Sequence, residues 1–144
     1  MFFYCFLVVL GLLVYDVGYG SFRRVDDFVR LLRLRGVEVV VDVRAFPRSR
    51  IPGFGGDELS RVLAVNGVEY VWLGDRLGGF RRGGYESYVG SSAFMDGFNR
   101  LVEIASKRRV CLLCLERDRR YCHRRFIVER LERLGFTVRD LVRG

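Results

Sequence analysis

Arg35-Gly36-Val37-Glu38-Val39-Val40-Val41-Asp42-Val43 is the stretch that decides the fold. Val37–Val43 is apolar at nearly every position, as expected of a strand covered on both faces. Upstream, Val25–Arg35 carries Phe28, Leu31 and Leu32 as a helical stripe. Gly36 sits between the two, where a left-handed residue closes a helix. The same punctuation recurs at Asn66-Gly67-Val68 and at Leu134-Gly135-Phe136.

Working outward, Leu12–Val17 reads as a first strand. Asp57–Asn66 reads as a second helix with Asp57 as N-cap, and Val68–Leu73 as a third strand. Ser92–Ser106 is a helix with Phe94, Met95, Phe98, Leu101, Val102 and Ala105 assigned to the core. Val110–Leu115 is a fourth strand, Tyr121–Leu134 a fourth helix and Phe136–Leu141 a last strand. Alternating strands and helices predict a single three-layer α/β domain over residues 12–144. Its sheet has about five mostly parallel strands with helices on both faces.

A chain of 144 residues suits one domain, and 50% apolar composition excludes a linker or tail protein. Met1–Tyr15 carries no charge. It lacks the basic start of a secretory signal and is short of the roughly 20 apolar residues that span a bilayer. Residues 1–11 are read as an apolar extension of the first strand or an early start, with a membrane anchor as the weakest option. A membrane partner is therefore not expected. Four cysteines are too sparse for a disulfide scaffold, which favours a reducing cytoplasm. The absence of Gln and the presence of only two Asn fit a hot habitat.

Net charge is +8, and Lys107 is the only lysine among 25 cations. The distribution of the arginines is more informative than their number. Arg44, Arg48 and Arg50 follow the second strand. Arg76, Arg81 and Arg82 follow the third, and Arg117, Arg119, Arg120, Arg124 and Arg125 follow the fourth. In a parallel sheet all these loops leave the carboxyl edge, where ligands bind. The arrangement suits an anionic small molecule or nucleic acid, and it also suits a solvated charged face. Asp16, Asp42 and Glu116 at strand ends are placed to pair with these cations. Gly53-Phe54-Gly55-Gly56 and the Gly78–Gly84 stretch fit neither the phosphate loop nor the dinucleotide fingerprint. No nucleotide cofactor is implied.

The densest chemistry is Cys114-Leu115-Glu116 followed by Tyr121-Cys122-His123-Arg124-Arg125. Cys122 falls near a helix start with Arg on both sides, a setting that favours thiolate. His123 is the only histidine and suits proton transfer. A polar active site, a Cys114–Cys122 disulfide, a metal site and ordinary buried thiols all remain open. Metal is disfavoured because adjacent Cys and His rarely both reach one ion. Cys111 is assigned to the core on the other side of the sheet.

These residues resemble the domain of unknown function 488 family. The resemblance covers roughly Val14 to Leu141. It rests on Cys114-x-Glu116 with Cys122-His123-Arg124, on Asp42-Val43-Arg44 with Phe46-Pro47-Arg48-Ser49 and Phe54, and on Tyr70, Leu73, Gly74, Leu77, Gly78, Gly79, Tyr85 and Tyr88. The family implies a compact α/β domain and no settled reaction. Its members usually carry His where Tyr19 stands here, which puts shared activity in doubt. The expected enzyme uses Cys122, Glu116 and His123 for chemistry. Arg44, Arg48, Arg124, Tyr85, Tyr19 and Asp42 are its substrate-side residues, with no metal and no cofactor. A nucleic-acid-binding module and a structural protein with a vestigial site are the alternatives. Oligomeric state is not legible.

Overall fold

The computed structural model describes residues 12–144. The reading of Met1–Gly11 lies outside the described residues, as does Cys5. Five parallel strands form one sheet: β1 (Leu13–Gly18), β2 (Val39–Asp42), β3 (Glu69–Trp72), β4 (Val110–Cys114) and β5 (Thr137–Asp140). Their spatial order is β3-β2-β4-β1-β5. The helices are α1 (Val25–Leu34), α2 (Gly56–Val65), α3 (Gly74–Leu77), α4 (Tyr85–Tyr88), α5 (Ser92–Ala105) and α6 (Arg124–Arg133). Single 3₁₀ turns follow β1 (Tyr19–Ser21) and β4 (Arg119–Tyr121). Among the described residues no helix is long and apolar enough to cross a membrane.

Alternate residues of each strand feed two cores, because successive side chains point to opposite faces. On one face Phe28 and Leu32 of α1 and Leu59 and Leu63 of α2 pack on Val17, Val40, Cys111 and Leu113. On the other, Phe94, Phe98 and Leu101 of α5 and Ile127 and Leu131 of α6 pack on Val39, Val41, Val110 and Leu112. The sheet is thus the middle of three layers. Gly36, Gly67 and Gly135 all take positive φ, at 72°, 76° and 104°. This is the conformation that ends each helix and turns the chain into the next strand.

Three local expectations are corrected. Met95 is 46% exposed rather than core. The inward stripe of α5 is Phe94, Phe98, Leu101 and Ala105, and Met95 falls one residue off it. Gly55, not Asp57, occupies the N-cap of α2 and makes no side-chain cap. The last helix begins at Arg124, three residues later than its apolar pattern suggests. Asp118 accepts from Arg120 N at 2.9 Å and holds a separate 3₁₀ turn, after which Cys122 is extended.

Chain direction sets the site. From β2 the chain moves outward to β3, whereas from β4 it crosses over β1 to β5. Loops leaving these two neighbouring strands therefore diverge over the carboxyl edge, which opens a crevice between them.

Candidate active site

Two buried ion pairs hold the crevice walls. Asp42 closes β2 at 0% exposure and accepts from Arg44 Nε at 2.9 Å and Nη2 at 2.7 Å. Arg44 Nη1 donates to Phe54 O at 2.8 Å, and its guanidinium lies 5.1 Å from the Tyr19 ring centroid. Tyr70 donates its hydroxyl to Asp42 Oδ2 at 2.5 Å. Burial, then the Asp42 charge, push the Tyr70 phenol up, so it stays protonated and able to donate.

The second pair joins β1 to the β4–α6 loop. Arg124, 1% exposed, donates from Nε to Asp16 Oδ2 at 2.9 Å, from Nη1 to Glu116 O at 2.6 Å and from Nη2 to Arg117 O at 3.3 Å. Gly18 lies directly beneath this loop. A Cβ there would sit 1.8 Å from Glu116 O, so only glycine permits the approach.

Between these anchors three donor atoms converge. His123 Nδ1 is 3.8 Å from Cys122 Sγ and 4.0 Å from Cys114 Sγ, and all three lie within 4.8 Å of one another. His123 Nε2 is 2.9 Å from Val43 O. A carbonyl only accepts, so Nε2 carries the hydrogen and Nδ1 turns its other valence to the sulfurs. Neighbouring Cys122 and His123 reach one point because the backbone changes between them. Cys122 is extended (φ −130°, ψ 144°), while His123 is already helical (φ −60°, ψ −21°). A spacing of this kind could also hold a thiophilic cation through the two sulfurs and Nδ1. The three cysteines Cys111, Cys114 and Cys122 are free thiols.

The two site cysteines are driven apart in acidity. The hydrogen bond from Cys114 lowers the Cys122 thiol well below its ordinary range. Burial opposes this, while His123 and the Arg124 backbone N–H, 3.5 Å from Sγ, reinforce it. Cys114 is pushed up, first by donating to Cys122 and then by burial. A thiolate at Cys122 also sits at the start of α6, where negative charge is stabilised by the helix dipole.

This cluster floors a cavity of about 430 Å³ lined also by Tyr19, Arg44, Ala45, Phe46, Arg48, Gly79, Phe80, Tyr85, Leu115, Glu116 and Tyr121. Cys122, His123, Glu116, Arg44, Arg48, Tyr85 and Tyr19 are thereby brought to one place. Glu116 is exposed at the rim, and Arg48 is exposed with no acid within 4 Å among the described residues. Tyr85 packs 5.1 Å from the His123 ring centroid and donates to Leu77 O at 2.7 Å, which makes it a support for the imidazole. Gly79 lies against the same ring, since a Cβ there would come within 3.0 Å of Nδ1. Asp42 and Arg124 do not line the cavity; each is spent on an internal ion pair.

Sequence reasoning left several lining groups unassigned. The Val43 carbonyl and Gly79 touch the imidazole beside Cys114, which the sequence offered only as a disulfide or metal partner, and Phe46, Phe80 and Tyr121 form the rim. Phe80 offered a signal, as a lone aromatic inside a glycine loop.

No curated protein and no solved structure matches the chain. The family model described as Domain of unknown function DUF488 matches residues 24–131, a span that contains β2, β3, β4 and the whole thiol cluster. Since that match covers well over half of its length, the chain belongs to the DUF488 family.

Proposed function

We propose that the chain is an enzyme acting on an anionic substrate, with Cys122 as a thiolate nucleophile at the floor of the carboxyl-edge cavity. One observation carries the reading. Cys122 Sγ is flanked by three groups that stabilise its anion, namely Cys114, His123 and the Arg124 backbone N–H. In the resting site the Cys122 proton passes to His123 Nδ1. The S–H bond breaks and an N–H bond forms, and the imidazolium keeps its Nε2 hydrogen on Val43 O. His123 can return that proton to a leaving group. Glu116 at the rim is the carboxylate free to accept one from an incoming water or acceptor. Arg48 supplies the unpaired positive charge facing the cavity. The class of reaction this supports is thiol-dependent hydrolysis or group transfer.

Alkylation kinetics test the reading. Cys122 should react with iodoacetamide at a rate that stays near its plateau as pH falls below the free-thiol range of about 8.5. Cys114→Ala should shift that profile upward by removing the first stabilising hydrogen bond, and Cys111→Ala should leave it unmoved. A Cys122 that titrates like a free thiol in the unsubstituted protein would end the proposal.

A further inference from the structure

The geometry points to an unpaired base of a single-stranded nucleic acid as the occupant of this cavity, with the strand's phosphates running over the β4–α6 loop. The inference rests on the reading above, in that the same cavity holds the reaction, and it adds the substrate class.

The rim is the first observation. Phe80 is 92% exposed, Tyr121 76% and Phe46 66%, and all three line the cavity. Phe80 also stands at φ 59°, the left-handed region that a non-glycine residue seldom occupies. Its backbone thus costs energy to present the ring outward rather than fold it into the core. Phe46 and Phe80 pack on each other with centroids 6.4 Å apart and planes inclined at 39°, a paired aromatic surface on the cavity wall. Flat apolar faces exposed beside one another fit a planar ring.

Charge is the second observation. Most of the eleven arginines on this edge are internally engaged. Arg44 and Arg124 are buried on Asp42 and Asp16, Arg120 pairs with Asp118 at 2.7 Å, and Arg81 donates to the Gly78 carbonyl at 2.9 Å. Arg48, Arg50, Arg82, Arg117 and Arg125 have no acid within 4 Å among the described residues. Arg48 lines the cavity itself, while Arg117 and Arg125 line the two hollows beside the β4–α6 loop.

The neighbouring hollows are the third observation. Two further hollows flank the β4–α6 loop. One, of about 710 Å³, is lined by Arg117, Arg119, Arg120 and Arg143 together with Asp118 and Asp140. The other, of about 440 Å³, reaches from Gly83 and Gly84 to Cys122 and Arg125. A mononucleotide would account for the central cavity alone. A strand accounts for all three, with cations spaced along its backbone and one base turned in toward Cys122.

The probe is a fluorescent, unstructured single-stranded oligonucleotide of mixed sequence, read by polarisation. Binding is expected at low salt, with log affinity falling against log salt by about 0.7 per phosphate engaged, hence a slope of about −3.5 if all five unpaired arginines engage. Phe46→Ala and Phe80→Ala should each weaken it by at least about fivefold, with circular dichroism confirming an intact fold. A strand with abasic sites should bind comparably less well, duplex should compete poorly, and a mononucleotide should compete only at far higher concentration. Saturating strand should also protect Cys122 from iodoacetamide.

No retention at low salt would overturn the inference. So would equal binding of the abasic strand with unaffected Phe variants, which would reduce the contact to phosphate attraction. A mononucleotide as tight as the strand, or a duplex as tight, would overturn it too. Full alkylation of Cys122 in the saturated complex would remove the base from the cavity while leaving the thiolate reading intact. A free protein whose Cys122 is unreactive would end the thiolate reading while the binding data stood.

Discussion

Asp42→Ala is expected to cost roughly 3–5 kcal/mol of folding stability, as does removal of one partner from a buried ion pair. Asp42 is fully buried and receives two bonds from the Arg44 guanidinium, one from the Arg44 backbone N–H at 3.0 Å and one from Tyr70. Without it the Arg44 charge stays in the interior, held only by Phe54 O and the Tyr19 ring. Asp42→Asn should recover part of the loss, because an amide can still accept from Arg44. Asp42→Ala should also loosen the Arg44–Tyr19 wall of the cavity. Chemical denaturation of the three proteins measures the cost. A loss below about 1 kcal/mol, the level of an exposed pair, would show that the pair does not anchor this wall.

Arg124→Met should be comparably destabilising, and its cost should depend on pH. Arg124 satisfies Asp16 and two carbonyls of the β4–α6 loop at once. Asp16 Oδ1 already lacks any partner. Burial holds the Asp16 carboxyl above its ordinary value even with Arg124 and Arg119 nearby. A carboxyl raised in the folded state binds its proton more readily there than in the unfolded chain. Its contribution is therefore fully present below the unfolded value of about 3.8 and is lost as pH rises through the folded value. Met in place of Arg124 removes the opposing charge and raises Asp16 further. The variant should lose roughly 3–5 kcal/mol near neutrality and regain part of it on mild acidification as Asp16 protonates. Denaturant midpoints across pH decide the matter. A deficit that stays constant from neutral to mildly acidic pH would contradict this account of Asp16.

Much of the framework was legible in residue order. Helix–Gly–strand punctuation marked three of the parallel connections, and unbroken apolar runs such as Val39-Val40-Val41 marked strands covered on both faces. The family was legible too: the resemblance read from the sequence agrees with the family model's match to residues 24–131. Site detail was less accessible, for definable reasons. Arg44 turns inward onto Asp42, two residues before it, but the inward turn of Arg124 depends on an acid of another strand. Asp16 lies 108 residues from Arg124, beyond any local pattern. The meeting of Cys122 and His123 depends on one change of backbone conformation between neighbours, which periodicity does not encode. Phe80 stands outward because of a positive φ, where composition alone would send a Phe to the core. The two short helices α3 and α4 lie inside a glycine-rich stretch whose residues advertise turns.

Titration of the thiolate ultraviolet absorbance, with Cys122→Ala as the reference, tests the central claim most directly. The account predicts an inflection well below the free-thiol value of about 8.5, absent from Cys122→Ala and displaced upward in Cys114→Ala. An inflection at or above the free-thiol value, or one that persists without Cys122, would contradict it.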